Sequence, residues 1–561
     1  MYKKAQKIRL SIVFFFFLLI LLIILVRLLN IQVLNNQHYL ELADSQHHLT
    51  LTLYPQRGLI YDRNLKVLAL SLKVFSVYAE PRLIDNKLEV AQKLADLLDL
   101  DYDKTLTQLQ KDKSFVWIKR RIEQNQAQAV NDLKLYGVGL LKENKRYYPN
   151  NELAAHVLGF TGIDDSGLEG LELEYDSYLK GESGYRSLLR DAKQRMLPAF
   201  EYEYVPAMDG YNLVLTIDQI IQHIVEEELN KAFDKNQAKG ASVLVMNPEN
   251  GEIFALANRP GYDLNLFETA TSDQRRNRAV CDYFEPGSTF KIITATAALS
   301  EKAVELDEVF FCENGTYQIS RHTLHDHRPH GDLTFVEVIE KSSNIGTVKV
   351  AQKLGAEVLY KYIKNFEFAE KTSIDLSGET AGFLRPVAGW SKLSIAAIPI
   401  GHEIGVSVLQ MAKAMAVIAN GGYLVKPHLV NKIIDNNQQI IKEFDYSQKK
   451  SIISPDIAKK MQEILKGVVE RGTAKKAKID GYTAAGKTGT AQKLNPQGGY
   501  SHDLFIASFI GFAPVKNPKV VIAVVFDEPK PVYYGGVVCA PIFKNIAEKV
   551  LRYMNTEKES K

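Results

Sequence analysis

The longest uninterrupted apolar run lies at the start of the chain. Leu10 to Val26 is hydrophobic but for Ser11, and Leu28-Leu29 extend the run past Arg27. About 20 apolar residues span a bilayer, so residues 10–29 are expected to form a membrane helix. Beyond it, Leu88 to Leu100 and Ala127 to Tyr136 repeat apolar positions at helical spacing. Leu213 to Ile217 then reads as a strand and Gln219 to Phe233 as a helix. Ala241 to Met246 and Glu252 to Ala257 are strand-like runs joined by Asn247-Pro248-Glu249-Asn250-Gly251, a turn signature. Thr289 to Leu299 is apolar, free of glycine and proline, and follows the breaker Pro286-Gly287, which predicts a helix beginning there. Ala507 to Phe512 and Lys519 to Phe526 are late strands. An early hairpin, a helix-rich middle and late strands predict an α+β domain: one sheet assembled from both ends of the segment and covered by helices.

Composition narrows the picture. The 561 residues exceed one core, and the balance of 46% hydrophobic and 24% charged is that of folded domains. A net charge of +3 gives no reason to invoke nucleic acid. The change of pattern near Pro206 to Gly210 suggests a boundary. The expected division is a tail over 1–9, an anchor over 10–29, an N-terminal module over 30–205, a second domain over 206–555 and a charged tail over 556–561, frayed from Asn555 onward. Lys3, Lys4, Lys7 and Arg9 precede the anchor, so the tail is expected in the cytoplasm and the rest outside it. A cleaved signal peptide fits less well, because the run is too long and Asn30 to Leu42 offers no small-residue cleavage site.

Cys281, Cys312 and Cys539 are an odd number, so at least one is unpaired within the chain, and Cys281 is expected to pack near Ser288, seven positions on. His322, His325, His327 and His330 share a polar loop with Arg321, Arg328 and Pro329. Zinc is one reading of that cluster, and solvated or hydrogen-bonded histidines the favoured one. Arg57-Gly58 with Asp62-Arg63-Asn64, and Gly167 to Asp176, read as structural junctions.

Three short strings carry chemistry: Ser288-Thr289-Phe290-Lys291, Ser342-Ser343-Asn344 and Lys487-Thr488-Gly489-Thr490. Any one of them occurs by chance as a helix cap, a turn or a strand entry. Their joint occurrence in this order reads as a serine nucleophile with its own base and anion clamp. A serine hydroxyl needs a neighbour to remove its proton, and residues i and i+3 of a helix share a face, which brings Lys291 to Ser288. Burial and the positive helix end lower the lysine's pKa toward that of a base. Asn344 can accept from Lys291 and donate to a substrate carbonyl, and Ser342 is a candidate proton relay. Lys487 supplies positive charge, Thr488 and Thr490 supply hydroxyls for a terminal carboxylate, and Gly489 permits close approach of substrate. The N–H groups of Ser288 and Thr490 are the expected oxyanion hole.

With these motifs the chain resembles the class B penicillin-binding proteins, and most closely the division-specific type. The likeness extends over the anchor, Arg57-Gly58, Asp62-Arg63-Asn64, Gly167 to Asp176, the three motifs, and Tyr533-Tyr534-Gly535-Gly536 with Ala540-Pro541-Ile542-Phe543. It implies a β-lactamase-like transpeptidase domain behind an elongated α+β pedestal of the dimerisation type. The implied reaction is attack of Ser288 on a stem peptide ending in D-Ala-D-Ala, then transfer of the acyl group to the amine of a neighbouring stem, with β-lactams acylating the same serine. No metal or organic cofactor is implied. No Glu-Asp polymerising motif lies in 30–205, so a polytopic membrane glycosyltransferase and other division proteins are the implied partners. His402 in Gly401-His402-Glu403-Ile404-Gly405 stands where the family pattern has an aromatic residue. Rival readings are an elongation-type enzyme, a D-Ala carboxypeptidase or β-lactamase, and a catalytically silent β-lactam sensor.

Overall fold

The computed structural model describes residues 2–40, 48–190, 196–319, 322–495 and 498–559. Arg321 and the last two residues of the charged tail lie outside them. The chain divides into two compact units, Met1–Gln56 with Gly181–Asp209, and Arg57–Lys180 with Gly210–Lys561.

The first unit holds helix α1 (Tyr2–Leu29), which continues as a π-helical turn over Asn30–Leu34 and buries none of its side chains. Phe14 to Phe17 and their apolar neighbours are exposed all round, as lipid-facing residues are. It is the one helix among the described residues long and apolar enough to cross a membrane. The unit also contains a three-stranded antiparallel sheet of His48–Leu53, Gly184–Arg190 and Met196–Val205, with Gly184–Arg190 in the middle.

The second unit takes residues from both sides of the change of pattern near residue 206. Ile60 and Tyr61 pair in parallel with Leu213 and Val214, which binds residues from both sides of that point into one seven-stranded sheet. A local change of pattern carries no information about such a long-range pairing. Strands Val67–Ala79, Val116–Ile122 and Val138–Tyr147 extend this sheet, and helices Lys87–Leu98, Tyr102–Gln110 and Gln124–Asp132 share a satellite core with them around Leu94, Leu98, Leu109 and Val130. The last helix ends four residues short of the periodic run, because Lys134 adopts a left-handed backbone (φ 46°) as the chain turns back into Val138–Tyr147.

At Arg57-Gly58, Arg57 is buried with Nε 2.6 Å from Glu172 and Nη1 2.6 Å from Asp176. Arg146 meets the other oxygen of Glu172 at 2.6 Å and donates to Gly58 O at 2.7 Å. Both stretches are structural, as expected, and the fold makes them one salt-bridged junction.

The active-site sheet has five antiparallel strands: β1 (Gly240–Met246), β2 (Ile253–Arg259), β3 (Ala485–Leu494), β4 (Tyr500–Ala513) and β5 (Val520–Asp527), in spatial order β2-β1-β5-β4-β3. An early hairpin and three late strands thus meet in one sheet, with β3 at its edge. Every residue of β1 and β2 is buried, and alternating side chains point to opposite faces, so helices cover both faces. Helix α2 (Gln219–Asn236) packs on β2, and α3 (Lys291–Ser300), α4 (Asn344–Leu354), α5 (Val408–Ala419) and α6 (Pro455–Glu470) form the helical block, with α6 against β3. The C-terminal helix α7 (Gly535–Tyr553) lies on β4 and β5. Residues 556–559 are docked rather than frayed: Tyr482 donates to Thr556 O at 2.9 Å, and the Glu559 carboxylate accepts from Thr483 N–H at 2.5 Å.

Candidate active site

The first motif lies on two kinds of helix. Gly287–Phe290 is a 3-10 turn, and α3 proper begins at Lys291, two residues later than the apolar pattern suggests. In a 3-10 turn the side chains at i and i+3 eclipse, which aligns Ser288 with Lys291 more directly than an α-helix would. Gly287 takes φ 55° and donates its N–H to Gly401 O at 3.1 Å. A Cβ on Gly401 (φ +85°) would lie 2.1 Å from Gly287 O, so the two glycines are forced by backbone contact.

Lys291 is fully buried, and its Nζ donates to Ser342 O at 2.7 Å and Asn344 Oδ1 at 2.8 Å, with Ser342 Oγ at 3.3 Å. From the opposite side Lys487, also fully buried, places Nζ 2.8 Å from Ser342 Oγ and 3.2 Å from Thr488 O. Burial brings the Lys291 ammonium down to about pH 7, partly opposed by Asp326. Burial and the charge of Lys291 push Lys487 well below the usual lysine range. Two cations on one hydroxyl in a dry site favour loss of a proton. Ser342 itself sits in the left-handed region (φ 60°), which is strained for a non-glycine residue.

Ser343 caps α4, its Oγ accepting from Gly346 N at 2.9 Å. Asn344 opens that helix, and its Nδ2 donates to His325 O at 2.9 Å, so one of its two amide hydrogens is committed to the histidine-bearing hairpin. Thr488 shares a hydrogen bond with Thr473 at 2.8 Å, and Thr490 Oγ1 accepts from Gly535 N–H at 3.1 Å while keeping its own hydrogen to donate. Gly489 is tight against the protein itself: a Cβ there would lie 2.3 Å from Ser508 Oγ and 2.8 Å from Pro286 O. What that glycine admits is the nucleophile turn against the edge strand.

The motif residues Lys291, Ser342, Asn344 and Lys487 are joined by hydrogen bonds, Ser288 stands half-buried one short turn before Lys291, and Thr490 lies on the same edge strand as Lys487. Three supporting residues lie outside the motifs. Asp326 accepts from Ser343 Oγ at 2.6 Å, Asn344 N at 2.5 Å and Ile345 N at 3.1 Å, holding the start of α4. Thr473 orients Thr488, and Glu285 sits three positions before Ser288. The charge of an acid in a histidine-rich loop gives no sequence signal of such a role.

Cys312 lies 3.4 Å from Ser343 Oγ, Cys281 lines a cavity that does not include Ser288, and all three cysteines are free. His322 and His325 belong to a small hairpin with Thr316–Ile319. Among the described residues no three His, Cys, Asp or Glu side chains converge as a metal set.

Two family profiles match the chain, one described as Penicillin binding protein transpeptidase domain over residues 241–548 and one as Penicillin-binding Protein dimerisation domain over 52–215. The chain is a class B penicillin-binding protein. This penicillin-binding protein is 37% identical over 528 residues to stage V sporulation protein D of Bacillus subtilis (strain 168), covering 93% of this chain and 82% of that one. It is 31% identical over 513 residues to the peptidoglycan D,D-transpeptidase FtsI of Escherichia coli (strain K12), covering 90% and 84%. Among solved structures, penicillin binding protein 3 of Mycobacterium tuberculosis in complex with ampicillin matches it with a TM-score of 0.73 at 28% identity, over 91% of this chain and 98% of that one. The penicillin-binding protein is of the division type.

Proposed function

We propose that Ser288 carries the acyl group in a peptidoglycan D,D-transpeptidase that cross-links stem peptides in septal wall synthesis. The observation that carries this reading is the meeting of Lys291 and Lys487 on one hydroxyl, Ser342 Oγ, at 3.3 and 2.8 Å.

A neutral Lys291 has two hydrogens and one lone pair. Ser342 O and Asn344 Oδ1 are acceptors, so they take the hydrogens and leave the lone pair for the proton of Ser288. Ser288 Oγ attacks the carbonyl of the penultimate D-Ala, and the resulting oxyanion is held by the N–H groups of Ser288 and Thr490. The proton passes through Ser342 to the leaving amine as the peptide bond breaks, and terminal D-Ala departs. An amine from a second stem then attacks the ester, its proton moves to Lys291 and back to Ser288 Oγ, and a new amide closes the cross-link. Lys487 and the hydroxyl of Thr490 hold the terminal carboxylate, Thr488 shapes the strand, and Gly489 lets that strand lie against the nucleophile turn. β-Lactams enter as mimics of the terminal dipeptide.

α1 makes the protein single-pass in the membrane. We place its basic tail in the cytoplasm and the catalytic domain outside, where a polytopic membrane glycosyltransferase supplies the strands to be cross-linked. We retain residues 30–205 and 206–555 as the functional division into pedestal and catalytic modules.

The test is labelling with a fluorescent penicillin. A covalent adduct is expected on the full-length protein and none on Ser288→Ala; an adduct that persists in the variant removes Ser288 as the nucleophile. Supplying a stem-peptide donor with an added amine should yield a cross-linked product, and hydrolysis alone would make the enzyme a carboxypeptidase.

A further inference from the structure

His402, where the sequence departs from the family pattern, leads to Glu285. Glu285 Oε1 accepts from Glu403 N–H at 2.9 Å and from Tyr500 O–H at 3.2 Å, and Oε2 lies 2.8 Å from His402 Nδ1. The His402 and Tyr500 rings meet edge to face at 5.1 Å, closing the group on itself. The Glu285 side chain is only 14% exposed and that of His402 25%.

One carboxylate thereby joins three separate elements. The first is the turn that carries Ser288, three residues on. The second is the loop whose Gly401 O receives Gly287 N–H at 3.1 Å. The third is the start of β4, which leads back along the edge strand bearing Lys487 and Thr490. The same turn is fixed to the loop again by Phe284, which exchanges hydrogen bonds of 2.9 Å with Val406 in both directions. Burial and the Glu285 carboxylate push the Tyr500 hydroxyl above the usual phenol range, so it stays a protonated donor. Glu285, Glu403 and Tyr500 also line a cavity of about 940 Å³ whose walls do not include Ser288, Lys291 or Lys487.

We propose that Glu285 is a positioning residue for the acylation step, a carboxylate clasp that sets Ser288 and its N–H against the edge strand through Glu403, His402 and Tyr500. It touches no substrate. It sets the spacing of the two halves of the oxyanion hole: Ser288 lies on the turn it holds, and Thr490 lies on β3, which pairs with the start of β4 through Leu494 and Tyr500. This inference rests on the reading of Ser288 as the nucleophile.

The experiment separates prior binding from acylation in stopped-flow measurements with a fluorescent penicillin, with active-site concentration determined by end-point titration. Displacements near 1 Å at a reacting centre lower rates by about 100-fold. Glu285→Ala is therefore expected to lower the first-order acylation constant by roughly that factor, with the prior dissociation constant within about threefold. Glu285→Gln keeps an acceptor at Oε1 for Glu403 N–H and Tyr500 O–H, and should recover about tenfold of the loss. An acylation constant within threefold of wild type in Glu285→Ala overturns the proposal, as does a loss that vanishes once the rate is corrected for titrated sites. Where Glu285→Ala does not fold, Tyr500→Phe and His402→Ala each remove one donor from the same carboxylate. A fall in the acylation constant in either supports the clasp, and wild-type constants in both overturn it. Persistent labelling of Ser288→Ala in the same series would instead sink the nucleophile assignment.

Discussion

Lys291 makes hydrogen bonds of 2.7 and 2.8 Å to two groups that can only accept, so its amine has one orientation whichever protonation state it holds. With the group brought down to about 7 by burial, the neutral base becomes more abundant as pH rises. The acylation rate should climb about tenfold per pH unit below that value and level off above it, as read from a pH profile with a non-ionising β-lactam. Lys291→Arg keeps the charge but has no accessible neutral form. It should lower acylation by about 100-fold or more, and a near-normal rate would show that another group is the base.

At the scale of elements, the start of α4 is held by Asp326 as much as by its own cap Ser343. Asp326 ties three donors of Ser343, Asn344 and Ile345, and its charge opposes the fall in the Lys291 pKa. Asp326→Asn retains much of the shape and removes the charge. Losing the charge takes away a stabiliser of the Lys291 ammonium, so the rising limb of the acylation profile should move to lower pH. Asp326→Ala should in addition lower stability by about 1–2 kcal/mol through the lost helix cap, measurable by chemical denaturation. An unmoved profile in Asp326→Asn would show that the carboxylate is electrically silent at the site.

Two buried groups bear on the whole molecule. Arg57 and Glu172 have fully buried side chains, and Arg57 also holds Asp176. Arg57→Ala leaves Glu172 to Arg146 as its remaining ion-pair partner and takes the arginine from Asp176, so unfolding free energy should fall, by less than the about 3–5 kcal/mol that stranding a buried charge outright costs. His156 is buried against Tyr262, with Nε2 2.8 Å from Gln274 O, and burial lowers its pKa from 6.5 to about 4. Between those values the unfolded chain takes a proton that the folded one refuses, so stability falls as pH drops through this window, by about 3 kcal/mol in full. His156→Gln should flatten that part of the stability curve, and an unchanged slope would assign acid sensitivity to other groups.

The amino-acid order alone determined the apolar anchor, the hairpin and late strands of one sheet, and the three motifs, because periodicity and residue chemistry are local properties. It also marked Arg57-Gly58 and Gly167 to Asp176 as structural stretches, since neither carries a nucleophile or a metal set, while their pairing with each other came from the fold. The tertiary structure alone decided that Ile60 pairs with Leu213, a contact across a long stretch of sequence that no local pattern encodes. It also decided that the first turn at Ser288 is 3-10, that the tail docks on Tyr482 and Thr483, that Asp326 and Thr473 bond to motif residues, and that Glu285 meets Glu403, His402 and Tyr500. An isolated carboxylate or hydroxyl has many possible partners, and only the packing of distant segments selects one.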